Sequence, residues 1–146
     1  MKKQIIALAV FAVAVSASAL TLKEKKQFAD WQTYLKSADQ SYVKTVKDKC
    51  GIDIPVTLEE KFTTPFMEKN ANAASYCDAP RSTLASMCDD ATSKTEIVKK
   101  VKKITCKLGK PDEATFKLSG TELVFTVGVS ASNLDEKAKE FFEKNL

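Results

Sequence analysis

Histidine is absent from this 146-residue chain, and glycine and proline occur only four times each. Without histidine the chain cannot by itself assemble a Ser-His-Asp triad, a Cys-His pair or a His-containing metal site. The few glycines form neither a P-loop nor a G-x-G-x-x-G turn, and no EF-hand spacing occurs. Arginine is scarcer still, since Arg81 is the only one. Nucleic-acid sites usually enlist arginine and stacking aromatics, so no nucleic-acid partner is expected. No Asn-x-Ser/Thr sequon, internal repeat or low-complexity tract is present.

Long apolar runs are missing everywhere except near the start. Lys2 and Lys3 precede an uncharged run from Ile5 to Val15, and Ala17-Ser18-Ala19 follows as a small-residue A-x-A site. That is the pattern of a secretory signal peptide, with cleavage expected after Ala19 and Ala17 as the second choice. The run is shorter than the roughly 20 residues of a spanning helix, so no transmembrane segment is expected. The mature chain, residues 20–146, is then read as a single soluble, exported, disulfide-bonded domain, periplasmic or extracellular. It keeps 21 basic and 19 acidic residues, a formal charge of +2. With 44% apolar and 29% charged residues overall, the composition is that of an ordinary globular protein.

The spacing of Phe28, Trp31, Leu35, Ala38, Tyr42 and Val46 predicts one long amphipathic helix over 23–50, ended by Gly51. The alternating, β-branched stretch 52–57 reads as a short strand that Pro55 confines to a sheet edge. In 58–72, Phe62, Phe66 and Met67 need burial, while Pro65 argues against a continuous helix. Residues 73–90 read as helical, with Tyr76, Leu84 and Met87 on the apolar stripe. Pro80 either kinks this helix or starts a second one capped by Asp78. Ser93 and Glu96 form a capping-box pattern opening a helix to about Lys103, with Ile97, Val101 and Ile104 inward.

Three strands are expected at 104–108, 114–118 and 122–129, joined as an antiparallel meander through turns at 109–112 and Ser119-Gly120. Pairing Leu118 with Thr121, Phe116 with Leu123 and Ala114 with Phe125 gathers Ile104, Cys106, Leu108, Phe116, Leu118, Leu123, Phe125, Val127 and Val129 on one face. Thr105, Lys107, Thr115, Lys117, Glu122 and Thr126 take the other, as in a sheet covered by helices on one side. A closing helix over 134–145 would dock through Ala138, Phe141 and Phe142. The expected fold is α+β: a long N-terminal helix and further helices on one face of a three-stranded meander, then a C-terminal helix.

Cys50, Cys77, Cys88 and Cys106 make an even count in an exported chain, which favours two disulfides. A four-thiolate zinc site would show paired C-x2–4-C knuckles, but 26, 10 and 17 residues intervene. No C-x-x-C redox motif exists. On one helix, Cys77 and Cys88 would stand about 16 Å apart, beyond the ~7 Å that a disulfide spans. Two pairings remain: Cys50–Cys77 with Cys88–Cys106, or Cys50–Cys88 with Cys77–Cys106. Antiparallel packing of successive helices favours the first.

Ser41-x-x-Lys44 matches the serine–lysine pattern of penicillin-interacting enzymes, but the companion S-D-N and K-T-G motifs are absent and the chain is too short. It reads as helix surface. The acidic pairs 59–60, 89–90, 112–113 and 135–136 are neighbours in sequence, which point different ways and make no catalytic dyad by themselves. Asp135-Glu136 suits the first turn of the last helix, and Asp112-Glu113 a turn. No catalytic residue, metal or cofactor is assigned. One uneven feature is left. Residues 94–110 hold seven lysines and one acid, a local charge of +6, while the rest of the mature chain sums to −4. Lys99, Lys100, Lys103, Lys107 and Lys117 are the candidates for holding an anionic surface or an acidic protein partner. The functional expectation is a small, exported, non-enzymatic binding domain. The alternatives are an inhibitor-like or structural envelope protein with no ligand, and a hydrolase working without histidine.

Overall fold

The computed structural model describes residues 19–146. The signal-peptide assignment rests on residues 1–18 and lies outside the described residues. Among the described residues no helix is long and apolar enough to cross a membrane. The elements run α1 (Leu22–Lys36), α2 (Val43–Cys50), β1 (Val56–Leu58), a 3-10 turn (Glu60–Phe62), α3 (Thr63–Glu68), α4 (Ala73–Met87), α5 (Ala91–Lys100), β2 (Lys103–Leu108), β3 (Ala114–Ser119), β4 (Glu122–Val127) and α6 (Leu134–Asn145). The architecture is α+β, with helices on one side of a four-stranded sheet and a C-terminal helix closing the core.

The single helix expected over 23–50 is two. α1 starts on a reciprocal cap, in which Thr21 N–H donates to the Glu24 carboxylate and Glu24 N–H to the Thr21 hydroxyl. It stops at Ser37, and the chain turns before α2, which ends on Gly51 at φ 79°. No proline or glycine causes the break. In one continuous helix, the Leu35 carbonyl and the Tyr42 amide would each bond four residues along. Here both are taken by side chains of α4. Arg81 Nη2 donates to the Leu35 carbonyl at 2.9 Å, and Asp78 Oδ2 accepts from Tyr42 N–H at 3.0 Å. Tyr42 consequently leaves the expected stripe and stands exposed.

α4 itself is one helix running through Pro80, capped by Asn72, whose side chain accepts from Ser75 N–H at 3.3 Å. Asp78 is therefore buried mid-helix rather than a cap. Pro65 sits in the first turn of α3, where its missing N–H would have no helical partner anyway. That placement lets Phe62 and Phe66 reach the core. α5 opens at Asp90, three residues before the expected Ser93 cap, and Asp90 accepts from Ser93 N–H at 2.7 Å. It ends at Lys100, so Ile104 belongs to β2.

The sheet order is β1-β2-β4-β3. β1 pairs parallel with β2, β2 pairs parallel with β4, and only β3–β4 is antiparallel. The expected meander is thus incorrect: β4 lies between β2 and β3. Burial explains the exchange. Leu123, Phe125 and Val127 of β4 are fully enclosed, whereas the inward Phe116 and Leu118 of β3 are only partly covered. The more apolar strand takes the centre, where both flanks are shielded. The β3–β4 hairpin is shifted by two residues from the expected register, pairing Leu118 with Leu123 and Phe116 with Phe125. Its two-residue loop is Gly120-Thr121, with Gly120 at φ 61° in the place where a II′ turn needs glycine. A shift of two preserves parity, so the inward and outward sets stand as read.

The core lies between the inner sheet face and the helices, with α4 at its hub. α4 packs on α1, α2, α5, α6, β1 and β4. Two disulfides fasten it: Cys50–Cys88 ties its C-terminal end to α2, and Cys77–Cys106 ties its middle to the inner face of β2. The favoured Cys50–Cys77 pairing is therefore corrected to the other. Cys50 lies beside the last turn of α4, its disulfide sulfur 3.7 Å from the Leu84 carbonyl oxygen, while Cys77 lies over the sheet. α6 docks through Ala138 and Phe142, with Phe116 stacked on Phe125 at 4.5 Å and on Phe141 at 5.6 Å.

Candidate functional site

The sheet has one covered face and one open face. Inward residues of β1, β2 and β4 are buried except Leu108 at the end of β2, which is partly buried, while none of the outward residues is buried. The open face carries Thr57 on β1; Lys103, Thr105 and Lys107 on β2; Glu122, Val124 and Thr126 on β4; and Thr115 and Lys117 on β3. It holds no aromatic side chain. The register puts Lys107 beside Thr126 and Lys117 beside Val124, on opposite sides of β4 and two residues apart. Standard strand spacings place their Cα atoms about 12 Å from each other. Neither lysine has an acidic partner within 4.0 Å among the described residues, and both are exposed.

Glu122 is the acid on the strands of this face, and Glu113, just before β3, reaches its edge, where the Thr115 hydroxyl donates to it at 3.3 Å. The Thr105 hydroxyl donates to Glu122 and holds its carboxyl below the ordinary range, with Lys103 and Lys107 adding to the effect. Lys103 lies 3.5 Å from it. The face therefore carries three lysines and two carboxylates, Glu122 beside Lys103 and Glu113 at the Thr115 edge, and Lys107 and Lys117 have no ion-pair partner within 4.0 Å among the described residues.

The other candidates fall elsewhere. Lys99 and Lys100 are on α5, in the helical layer. Lys100 is engaged twice, with Glu96 at 2.9 Å and with the Leu146 backbone carbonyl at 2.7 Å. Lys103 is on β2, not on the helix. The geometry thus brings Lys103, Lys107 and Lys117 together on the sheet and puts Lys99 and Lys100 at the end of α5 that leads into it. Ser41 and Lys44 do not form a pair: the Ser41 hydroxyl donates to the Ser37 carbonyl at 2.6 Å, and Lys44 binds Asp48. All four cysteine sulfurs are in disulfides, which removes the tetrathiolate zinc alternative. The two bridges fit an oxidising compartment.

One polar pair was not foreseen from the sequence. Arg81 and Asp78 are each 1% exposed, with Arg81 Nε 2.5 Å from Asp78 Oδ1. Burial pushes the Asp78 carboxyl above its ordinary range, against the opposing pull of Arg81 and the Tyr42 amide. Nearby, burial and then the Asp78 charge raise the Tyr34 phenol. The available sequence signal was that the only arginine sits three residues after an aspartate on a helix otherwise poor in charge.

Comparisons of the chain with known protein families, with curated proteins and with solved structures gave no match in any of the three.

Proposed function

We propose that this is an exported, non-enzymatic binding domain, working in the periplasm or outside the cell, that holds an anionic surface on its open sheet face. The observation that carries the reading is the pair Lys107 and Lys117, exposed and without an ion-pair partner among the described residues, on a sheet face that no other described element covers. A one-sided sheet ordinarily exposes a mixed polar face. This one bears lysines and threonines, with Glu122 beside Lys103 and Glu113 at the Thr115–Thr126 edge, and its exposed lysines suit phosphate or carboxylate groups spread over a plane. Two disulfides keep the scaffold rigid in an oxidising environment, and the export pattern at 1–19 supplies the route.

The test is co-sedimentation with vesicles of anionic or neutral lipid at low salt and at 0.15 M. The native protein is expected to bind anionic vesicles alone, and more weakly as the Debye length shrinks to about 8 Å. Lys107→Glu with Lys117→Glu should weaken binding at least fivefold. The same reversal at Lys137 and Lys139 on α6 should leave it nearly unchanged. Equal binding by both double variants, or no binding at low salt, would overturn the reading. Retention of a soluble acidic protein instead would redirect it to a protein partner.

A further inference from the structure

A cavity of about 300 Å³ opens where the last turn of α1, the first turn of α2 and the segment entering β1 meet. Leu35, Val43, Ile54, Pro55 and Val56 give it apolar walls, and Arg81 and Lys36 line it as cations. Its size is at the lower end of small-molecule sites. At ~30 Å³ per water-sized group it has room for about ten heavy atoms.

Arg81 is the unusual wall. A guanidinium has five N–H donors. Nε is used by Asp78 and Nη2 by the Leu35 carbonyl, while Nη1 donates to no acceptor among the described residues. No sealed side-chain nitrogen or oxygen is left without a partner there. Nη1 is therefore not sealed in protein, and Arg81 is among the residues that line the cavity. The side chain as a whole is 1% exposed, so this donor is presented on a rigid, desolvated mount.

We infer that the cavity binds a small monocarboxylate with an apolar body of about six to eight carbons, its carboxylate on Arg81 Nη1 and near Lys36. Three observations select this class. Asp78 already balances the charge of Arg81, so a bare anion gains too little, and the apolar walls must contribute. Lys36, which has no acidic partner among the described residues, supplies the uncancelled positive charge at the rim. Asp53, also in the lining, is largely exposed and lies 3.9 Å from Lys47, which draws its charge away from the apolar walls. An amine of the same length would set its charge against Lys36 and could not accept from Arg81, and an alcohol would meet Nη1 without charge. None of the lysines of the open sheet face lines the cavity, so this inference stands apart from the surface-binding reading.

The test is titration of octanoate, octanol and octylamine into the oxidised protein, followed by calorimetry and by methyl NMR. Octanoate is expected to shift the methyls of Leu35, Val43, Ile54 and Val56, and to bind at least tenfold tighter than octanol, with octylamine not competing. Lys36→Glu changes an exposed position and should weaken octanoate at least fivefold without loss of fold. Val43→Phe, at a partly exposed wall, should fill the cavity and abolish binding. Lys107→Glu with Lys117→Glu should leave octanoate affinity unchanged. Equal affinity for octanol and octanoate, shifts confined to other methyls, or undiminished binding by Lys36→Glu would overturn the assignment.

Discussion

The backbone N–H of Tyr42 donates to the Asp78 carboxylate at 3.0 Å, across 36 residues of sequence. That bond caps the start of α2 from another helix, and its partner Arg81 holds the other side of the break through Leu35. Asp78 and Arg81 thus act on α1 and α2 as a loop-breaking residue would, although neither belongs to that segment.

Breaking this pair should be costly, because either partner alone is a buried, unanswered charge. Asp78→Ala or Arg81→Met is expected to destabilise by about 3–5 kcal/mol, the usual range for a split buried pair. Asp78→Ala combined with Arg81→Met should cost less than the sum of the singles. Urea unfolding of the four proteins checks the coupling. Strict additivity would show that the two residues act independently.

The bridges close segments of 38 and 29 residues. Loop-closure entropy then assigns each about 3.5–4 kcal/mol. Removing Cys50 and Cys88 together, or Cys77 and Cys106 together, should lower stability by that order. Non-reducing peptide mapping should recover Cys50 joined to Cys88 and Cys77 joined to Cys106. A Cys50–Cys77 peptide would refute the described packing of α4.

Two glycines should respond differently to alanine. At Gly120 a Cβ meets nothing within 4 Å, and the cost is conformational, from φ 61°. Gly120→Ala should lose about 1–2 kcal/mol. At Gly128 a Cβ would fall 1.7 Å from the Lys110 carbonyl oxygen and 2.5 Å from that of Pro111. That backbone is the crossing from β2 to β3, which lets β4 sit between them, and Gly128 N–H donates to the Glu113 carbonyl there at 2.9 Å. Gly128→Ala should therefore be the more damaging by at least 2 kcal/mol, on the scale of overpacked sites. Parallel thermal melts would show it.

Acid should weaken the fold. Hydrogen bonds, led by the Thr21 amide, Ser93 amide, Lys100, Thr105 and Lys144 respectively, hold Glu24, Asp90, Glu96, Glu122 and Glu140 below the ordinary carboxylate range. For such groups the unfolded chain takes up protons first. Their contribution is complete above about pH 4–5 and is lost as pH falls through the lowered values. Asp78 works the other way: its raised value makes the folded chain the better proton acceptor just above the ordinary range, so acidification relieves it. The five lowered carboxylates give the expectation of a lower urea midpoint at pH 3 than at pH 7, with Asp78 opposing it. Asp90→Asn, which still caps but does not titrate there, should shrink that difference.

Where the physics is local, the sequence was enough. Period-two alternation in 104–127 put the strand residues it named on their correct faces, even though Lys103 was read as helical and strand order and register were misread, because a two-residue slip conserves parity. The same alternation exposed Lys107 and Lys117. An even cysteine count implied two bridges, and the 3.6 period located α4 and α6. The strand order, the break at 37–42, the bridge pairing and the cavity beside Arg81 were decided in three dimensions. Each depends on competition for a shared interior: β4 displaces β3 from the centre because it buries more apolar surface, and α4 supplies from 36 to 46 residues away the hydrogen bonds that end α1 and begin α2. Periodicity reports which side of an element is apolar. It carries no record of which neighbour fills that side, and that choice set the rest of this molecule.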